Sequence, residues 1–162
     1  MLPGTEYEPG TLMREQINDA VKAAMKSRDG RRTTTLRLIN AAIKDRDIEA
    51  RGDGREKIDD AEILGLLQKM VKQREESIAM YQKGDRHELA DQESGEIDII
   101  KEFLPRPLST SECESAIDAA IAATGAAGLR DMGKVVDALK GKYPGRIDFA
   151  NASRVVKQKL GG

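Results

Sequence analysis

Two prolines, Pro105 and Pro107, interrupt a chain whose apolar residues otherwise recur every three or four positions. Each proline removes a backbone hydrogen-bond donor and disfavours helical conformation in the residue before it. The segment Leu104–Pro107 therefore predicts a domain boundary. We expect an N-terminal helical domain over residues 11–104 and a C-terminal module over residues 108–162.

The rest of the composition favours helices throughout. Charged residues make up 34% of the 162 residues and aromatic residues only 3%, while the apolar residues are mostly Ala, Leu, Ile, Val and Met. These are helix-forming residues, and no run alternates between apolar and polar positions as a half-buried strand does. The sequence predicts an all-α fold with four helices before the prolines and three after them.

Local signals place the helix ends. Residues 1–10 carry turn signals without periodicity and are predicted to form a flexible tail. A first helix is expected from about Thr11 until Asp29-Gly30 stops it, and a second from about residue 33 to 50. Asp59 or Asp60 is predicted to cap a third helix that ends at Gly84, and a fourth helix is expected over about residues 86–103.

The C-terminal module has clearer signals for where its helices begin. Ser109 and Glu112 have the spacing of a capping box, in which each side chain bonds the backbone N–H of the other residue. The helix that follows is expected to run to Gly125. Asp131 and Asp148 are predicted to cap two further short helices.

Few residues could carry catalysis or bind a metal. Cys113 is the single cysteine and His87 the single histidine, so neither a disulfide nor a Cys/His metal set is expected. No glycine-rich segment has the spacing of a phosphate-binding loop. We expect no intrinsic enzymatic activity, no metal and no cofactor. We also expect no membrane span and a cytoplasmic location, because no leader or long apolar segment is evident.

Charge is distributed unevenly along the chain. Residues 129–162 have a net charge of +5 inside a chain of −1, which suggests an anionic partner such as RNA. Basic residues near helix ends also serve solubility, so charge alone leaves RNA binding open. Tyr143 and Phe149 are too few to form a platform for stacked bases, so we expect contacts to the RNA backbone and shape. The candidate RNA-binding residues are Lys134, Lys140, Lys142, Arg146, Arg154 and Lys157.

Four motifs, in this order, resemble the YqeY-like proteins of the GatB/YqeY family. They are TLRLINAAIK at residues 35–44, VKQREESI at 71–78, EIDIIKEFLP at 96–105 and DMGKVV at 131–136. The similarity extends over nearly the whole chain, from about residue 12 to residue 160. It implies a four-helix N-terminal part followed by a three-helix GatB/YqeY-type module.

The resemblance also implies a partner, because the module is similar to the tail domain of the GatB subunit of tRNA-dependent amidotransferase. That tail is thought to help hold tRNA, while the amidotransferase chemistry belongs to parts that this chain does not match. A label of carbon–nitrogen ligase with glutamine as amido-N-donor would come from family inheritance only. Asp148-Phe149 departs from the Asp-Gly pair of relatives, which puts a close ligand approach at that position in doubt.

Two functions remain open at this point. The first is a non-catalytic accessory protein that binds tRNA or a tRNA-handling complex through the basic residues of the C-terminal module. The alternative is a helical protein–protein interaction adaptor that presents Ile63, Leu67 and Met70 to a partner helix.

Overall fold

The computed structural model describes residues 12–161, and this part of the chain is helical with no β-strand. It divides into two compact units, which we call the N-terminal unit, ending at Leu104, and the C-terminal unit, starting at Pro105. The all-α prediction is confirmed, with four helices in the first unit and three in the second. The predicted tail over residues 1–10 lies outside the described residues. The helices are α1 (Leu12–Lys26), α2 (Gly30–Gly52), α3 (Asp60–Lys83), α4 (His87–Lys101), α5 (Thr110–Thr124), α6 (Met132–Lys142) and α7 (Phe149–Gly161).

The N-terminal unit packs its four helices around one core. Ile17, Leu36, Ile63, Leu67 and Ile100 are fully buried in it, one or two from each helix. Three residues join α3 to α4, so these helices pack as an antiparallel hairpin. Such burial of large apolar side chains supplies most of the stability of a small helical unit.

Asp29 begins a helix, although the sequence predicted a stop there. Its side chain accepts a hydrogen bond from the Arg32 N–H at 3.0 Å, and α2 starts at Gly30, earlier than expected. The turn between α1 and α2 is made instead by Arg28, whose φ is +59°. An Asp-Gly pair suits the start of one helix as well as the end of another, which explains the error.

In the C-terminal unit, three helices enclose a smaller core that contains Ile117, Val135, Leu139, Ile147 and Val156. The predicted capping box at the start of α5 is confirmed, with the Ser109 hydroxyl accepting from the Glu112 N–H. Gly125 ends α5 with φ +65°, a left-handed conformation that glycine adopts without a steric penalty.

The two other predicted caps of this unit differ. Asp148 accepts hydrogen bonds from the backbone N–H groups of Ala150 and Asn151 at 3.1 and 3.4 Å, as a cap of α7 should. Asp131 makes no capping bond to α6, because its carboxylate accepts from the Ala127 N–H at 3.0 Å. A 3₁₀ turn over Leu129–Asp131 precedes α6 and orients this side chain backwards along the chain.

Candidate nucleic-acid interface

Cations become exposed on α6 because its apolar residues are drawn into the core. Val135 and Leu139 are buried four residues apart, which leaves Lys134 and Lys140 on the solvent side. These two lysines are six residues apart, so they lie about 9 Å from each other along the helix axis. They do not form a single contact point on α6.

Lys142 and Arg146 meet at the carboxyl end of α6. Lys142 Nζ lies 5.6 Å from the centre of the Tyr143 ring, and the Arg146 guanidinium carbon lies 6.0 Å from it. The Tyr143 N–H donates to the Leu139 carbonyl at 2.8 Å, which fixes the tyrosine at the helix end. Both cations therefore lie at one aromatic ring, at distances typical of cation–π interactions.

Arg146 is also fixed by its backbone and by Nε. The Nε–H donates to the Arg106 carbonyl at 2.9 Å, and the Arg146 carbonyl accepts from the Leu108 N–H at 2.9 Å. These bonds hold the segment before α5 against the loop before α7. Arg146 therefore has a structural role that its basic character in the sequence did not indicate.

A second group of cations lies on α7. Arg154 donates to the side-chain oxygen of Asn151 at 2.7 Å, within its own helix, and Lys157 is exposed three residues further on. Residues three apart are neighbours on a helix surface. Lys140 Nζ of α6 lies 6.0 Å from the centre of the ring of Phe149, the residue that begins α7.

Lys134 lies beside a carboxylate. Its Nζ is 3.8 Å from Asp131, and 70% of its side chain is exposed. The hydrogen bond from the Ala127 N–H, assisted by Lys134 and Arg130, holds the pKa of Asp131 below its usual range. Of the six predicted residues, Lys142 and Arg146 share the Tyr143 ring, and Arg154 and Lys157 are neighbours on α7.

An open depression of about 410 Å³ is lined in part by Tyr143 and Arg146. One wall is α5, where Ser111, Ser115 and Ala119 follow each other at intervals of four residues and so lie one above another. Tyr143 and Arg146 form the opposite wall. This depression was not predicted from the sequence, although the spacing of small residues on α5 is a signal that could have indicated it.

Glu112 lies in the same wall as the small residues of α5 and carries a negative charge. Arg106 donates to both of its carboxylate oxygens at 3.2 Å, and the Ser109 N–H donates to one of them at 3.0 Å. These bonds, with that to Arg106 first, lower the pKa of Glu112 to about 2. The depression therefore has an anionic wall and a cationic wall at neutral pH.

An ion pair between Arg14 and Asp47 joins two helices of the N-terminal unit. Arg14 of α1 donates to both carboxylate oxygens of Asp47 of α2, at 2.6 and 2.7 Å, and to the Ile58 carbonyl at 3.0 Å. The Ile58 N–H donates to Asp47 at 2.9 Å. The hydrogen bonds from Arg14, ahead of that from Ile58, hold the pKa of Asp47 below its usual range.

Arg74 and Glu96, which belong to two different family motifs, meet across the α3–α4 hairpin. Arg74 Nε donates to Glu96 at 2.9 Å and lies 3.8 Å from Glu93. Burial, followed by repulsion from Glu96, raises the pKa of Glu93. These motifs have a structural explanation, because they form the contact between two helices.

The residues proposed for an adaptor surface are not accessible. Ile63 and Leu67 are fully buried, and Met70 is only 7% exposed. The sequence interpretation placed them on the outside because a hairpin alone would expose this stripe, whereas α1 and α2 cover the α3 side of it. The adaptor hypothesis is therefore wrong about its contact residues.

His87 and Cys113, the single histidine and cysteine, are the remaining residues considered for catalysis or metal binding. The His87 Nε2 lies 2.7 Å from Asp85 at the exposed turn between α3 and α4. Burial raises the pKa of the Cys113 thiol, which contacts the Leu108 carbonyl. Among residues 12–161 there is no group of His, Cys, Asp and Glu side chains placed to hold a metal ion. No helix in this range combines the length and apolar character needed to cross a bilayer.

Comparison with known proteins identifies relatives over most of the sequence. A family model described as Yqey-like protein matches residues 14–160. The protein named Altered inheritance of mitochondria protein 41, mitochondrial, from Lachancea thermotolerans is 36% identical over 101 residues, which cover 62% of this chain and 51% of the relative. Its namesake from Saccharomyces cerevisiae is 30% identical over 122 residues, covering 75% and 57%. The chain spans about half the length of these curated relatives.

The names of these relatives contradict the expected cytoplasmic location. Both are called mitochondrial proteins. The expectation was inferred from the lack of a recognisable leader and of a long apolar segment, and the lack of a signal does not define a compartment.

Proposed function

This chain belongs to the YqeY-like family, and we propose that it is a non-catalytic accessory protein whose C-terminal unit binds tRNA. The observation that carries the proposal is the exposure of the basic residues on α6, the loop after it and α7. The likeness of this unit to the tail domain of GatB supports tRNA as the polyanion. Binding to a tRNA-handling protein complex would be the alternative outcome of the same experiments.

Two groups of cations would make the contact to phosphates. Lys142 and Arg146 lie at one end of α6, and Arg154 and Lys157 lie on α7. Lys134 and Lys140, which precede both groups in sequence, add charge on α6. Phosphate contacts of this kind are electrostatic and independent of base sequence, so they are weakened strongly by salt.

The test is an electrophoretic-shift titration of the full chain against total tRNA at several salt concentrations. Replacing Lys134 and Lys142 together by glutamate should weaken binding, because two phosphate contacts are lost. It should also reduce the slope of log affinity against log salt by about two, since each contact contributes about one. Circular dichroism should show unchanged helicity, because both lysines are exposed.

The chain offers a matched control in the N-terminal unit. Lys44 and Lys69 are exposed on α2 and α3, and their replacement by glutamate changes the net charge of the protein by the same amount. This variant should bind tRNA nearly as well as the unmodified chain. Equal weakening by both variants would mean that overall charge rather than the C-terminal unit governs binding, and no binding at low salt would overturn the proposal.

A further inference from the structure

The depression between α5 and Tyr143 differs from the rest of the basic surface, because it has depth and walls of opposite charge. Its volume of about 410 Å³ is near the lower end of the range of about 300–1,000 Å³ that is typical of small-molecule sites. This space can hold one planar ring but cannot admit a nucleic-acid duplex. It lies wholly within the C-terminal unit.

The small residues of α5 create the space. Ser111, Ser115 and Ala119 stand on the same side of the helix, and Ala116 lies between them and the core. Larger side chains at these positions would fill the depression without entering the core, because Ser111, Ser115 and Ala119 are exposed. The two alanines and Leu108 offer an apolar surface, and the serine hydroxyls offer hydrogen bonds.

The walls are held in place before any ligand binds. Arg146 is fixed by its hydrogen bond to the Arg106 carbonyl, and Glu112 is fixed by Arg106 and by the Ser109 N–H. Fixed walls reduce the entropy that a ligand must lose when it binds. The depression is therefore preorganised.

The charges select the kind of ligand. Arg106 pairs with the charge of Glu112, and Glu112 Oε2, which accepts from Arg106 alone, has capacity to accept one further hydrogen bond from an N–H group of a neutral ring. Lys142 and Arg146, which lie at the Tyr143 side, can hold the phosphate attached to such a ring. A nucleotide combines these two properties, and unpaired bases of RNA are bound by aromatic rings or guanidinium groups together with hydrogen bonds to their edges.

We infer that the depression lined by Ser111, Ser115, Ala119, Tyr143 and Arg146 receives one unpaired base of the bound RNA. This inference rests on the proposed function and adds a contact that the sequence did not predict, since the sequence indicated only backbone and shape recognition. The protein then prefers RNA with an unpaired loop or end over a continuous duplex.

The experiment compares an RNA hairpin that has an unpaired loop with a blunt RNA duplex of the same number of phosphates. The full chain should bind the hairpin more tightly by about fivefold to a hundredfold, the range that stacking of one base provides. Ala119→Leu should fill the depression and reduce this preference to less than about twofold, while affinity for the duplex stays the same. Leucine is a good helix former, so α5 should persist.

Ala122→Leu is the matched control, because Ala122 is exposed on α5 but does not line the depression. It should keep the full preference for the hairpin. Hairpins with an abasic nucleotide at each loop position in turn should identify one position where loss of the base weakens binding to the unmodified chain but not to Ala119→Leu.

The outcomes separate the two proposals. Equal binding of hairpin and duplex by the unmodified chain, or an unchanged preference in Ala119→Leu, would overturn the base site and leave tRNA binding intact. Absence of binding to either RNA at low salt would overturn both.

Discussion

Two arginines of the N-terminal unit contact carboxylates on other helices, whereas most candidate RNA-binding cations of the C-terminal unit lie on its surface. Arg14 joins α1 to α2, and Arg74 joins α3 to α4. In the C-terminal unit, Arg154 bonds a residue of its own helix, and Lys157 is exposed. Arg14 and Arg74 thus hold helices together, as Lys159 of α7 also does by donating to Asp118 of α5 at 2.9 Å. Arg154 and Lys157 instead leave positive charge accessible, so substitutions at these two pairs should affect different measurements.

Asp47→Ala should give the largest effect on stability. It removes the partner of the Arg14 guanidinium and the acceptor of the Ile58 N–H. Breaking a buried ion pair leaves an uncompensated charge, which should lower the free energy of unfolding by about 3 kcal/mol. Urea denaturation measures this loss.

Asp45→Ala is the control, since Asp45 is exposed on the same helix, and it should change the stability by less than about 0.5 kcal/mol. If Asp47→Ala also lost less than about 0.5 kcal/mol, the Arg14–Asp47 pair would contribute little to stability, and the contrast between the two units would fail.

A pair of arginine substitutions, Arg74→Met and Arg154→Met, tests the difference between the units directly. Arg74→Met leaves Glu96 and Glu93 without their cation, and we expect a loss of about 2 kcal/mol in stability with unchanged tRNA affinity. Arg154→Met should leave stability within about 0.5 kcal/mol and weaken tRNA binding several-fold. The reverse pattern in unfolding and titration experiments would contradict the division of roles.

The helix caps should show no such difference between units. Asp59 and Ser109 each form a capping box, with Glu62 and Glu112 respectively. Replacement of either cap by alanine should cost about 1 kcal/mol in unfolding experiments. Thr110→Ala, next to Ser109 but outside the box, should have little effect, and a loss as large as that of Ser109→Ala would mean that the cap is not the cause.

The smallest expected effect concerns Glu93, whose pKa is raised by burial and by Glu96. A raised pKa in the folded state means that stability is higher below the pKa of the unfolded chain, about 4.3 for Glu, and decreases as the pH rises. Glu93→Gln should therefore stabilise the protein at pH 7, by less than about 0.5 kcal/mol. Thermal unfolding should show this gain disappearing below about pH 4; a loss at pH 7 would indicate that attraction to Arg74 dominates.

The features that were predicted correctly depend on residues close together in the sequence. Apolar spacing predicted the seven helices, and the Ser109–Glu112 capping box was read correctly because its partners are three residues apart. Asp29 and Asp131 were misinterpreted, since an aspartate near a helix end can bond backbone N–H groups on either side of it.

Contacts between distant residues could not be predicted in this way. Arg14 and Asp47 are 33 residues apart, and either could have paired with many other charges. The depression depends on how Tyr143 and Arg146 pack against α5, which the apolar pattern leaves undetermined. The basic residues were found from charge alone, but their division into separate groups follows from the helix faces they occupy.

The exposure of cations in the C-terminal unit has a kinetic consequence that the net charge conceals. From its formal charge of −1 alone, the protein should associate with a polyanion no faster than a neutral protein does. The residues from Pro105 onward nevertheless carry a net +3, and at physiological salt a charged surface acts over a Debye length of about 8 Å. An approaching polyanion would therefore be attracted by this unit and repelled by the other. This electrostatic steering would favour encounters through the C-terminal unit before any specific contact forms.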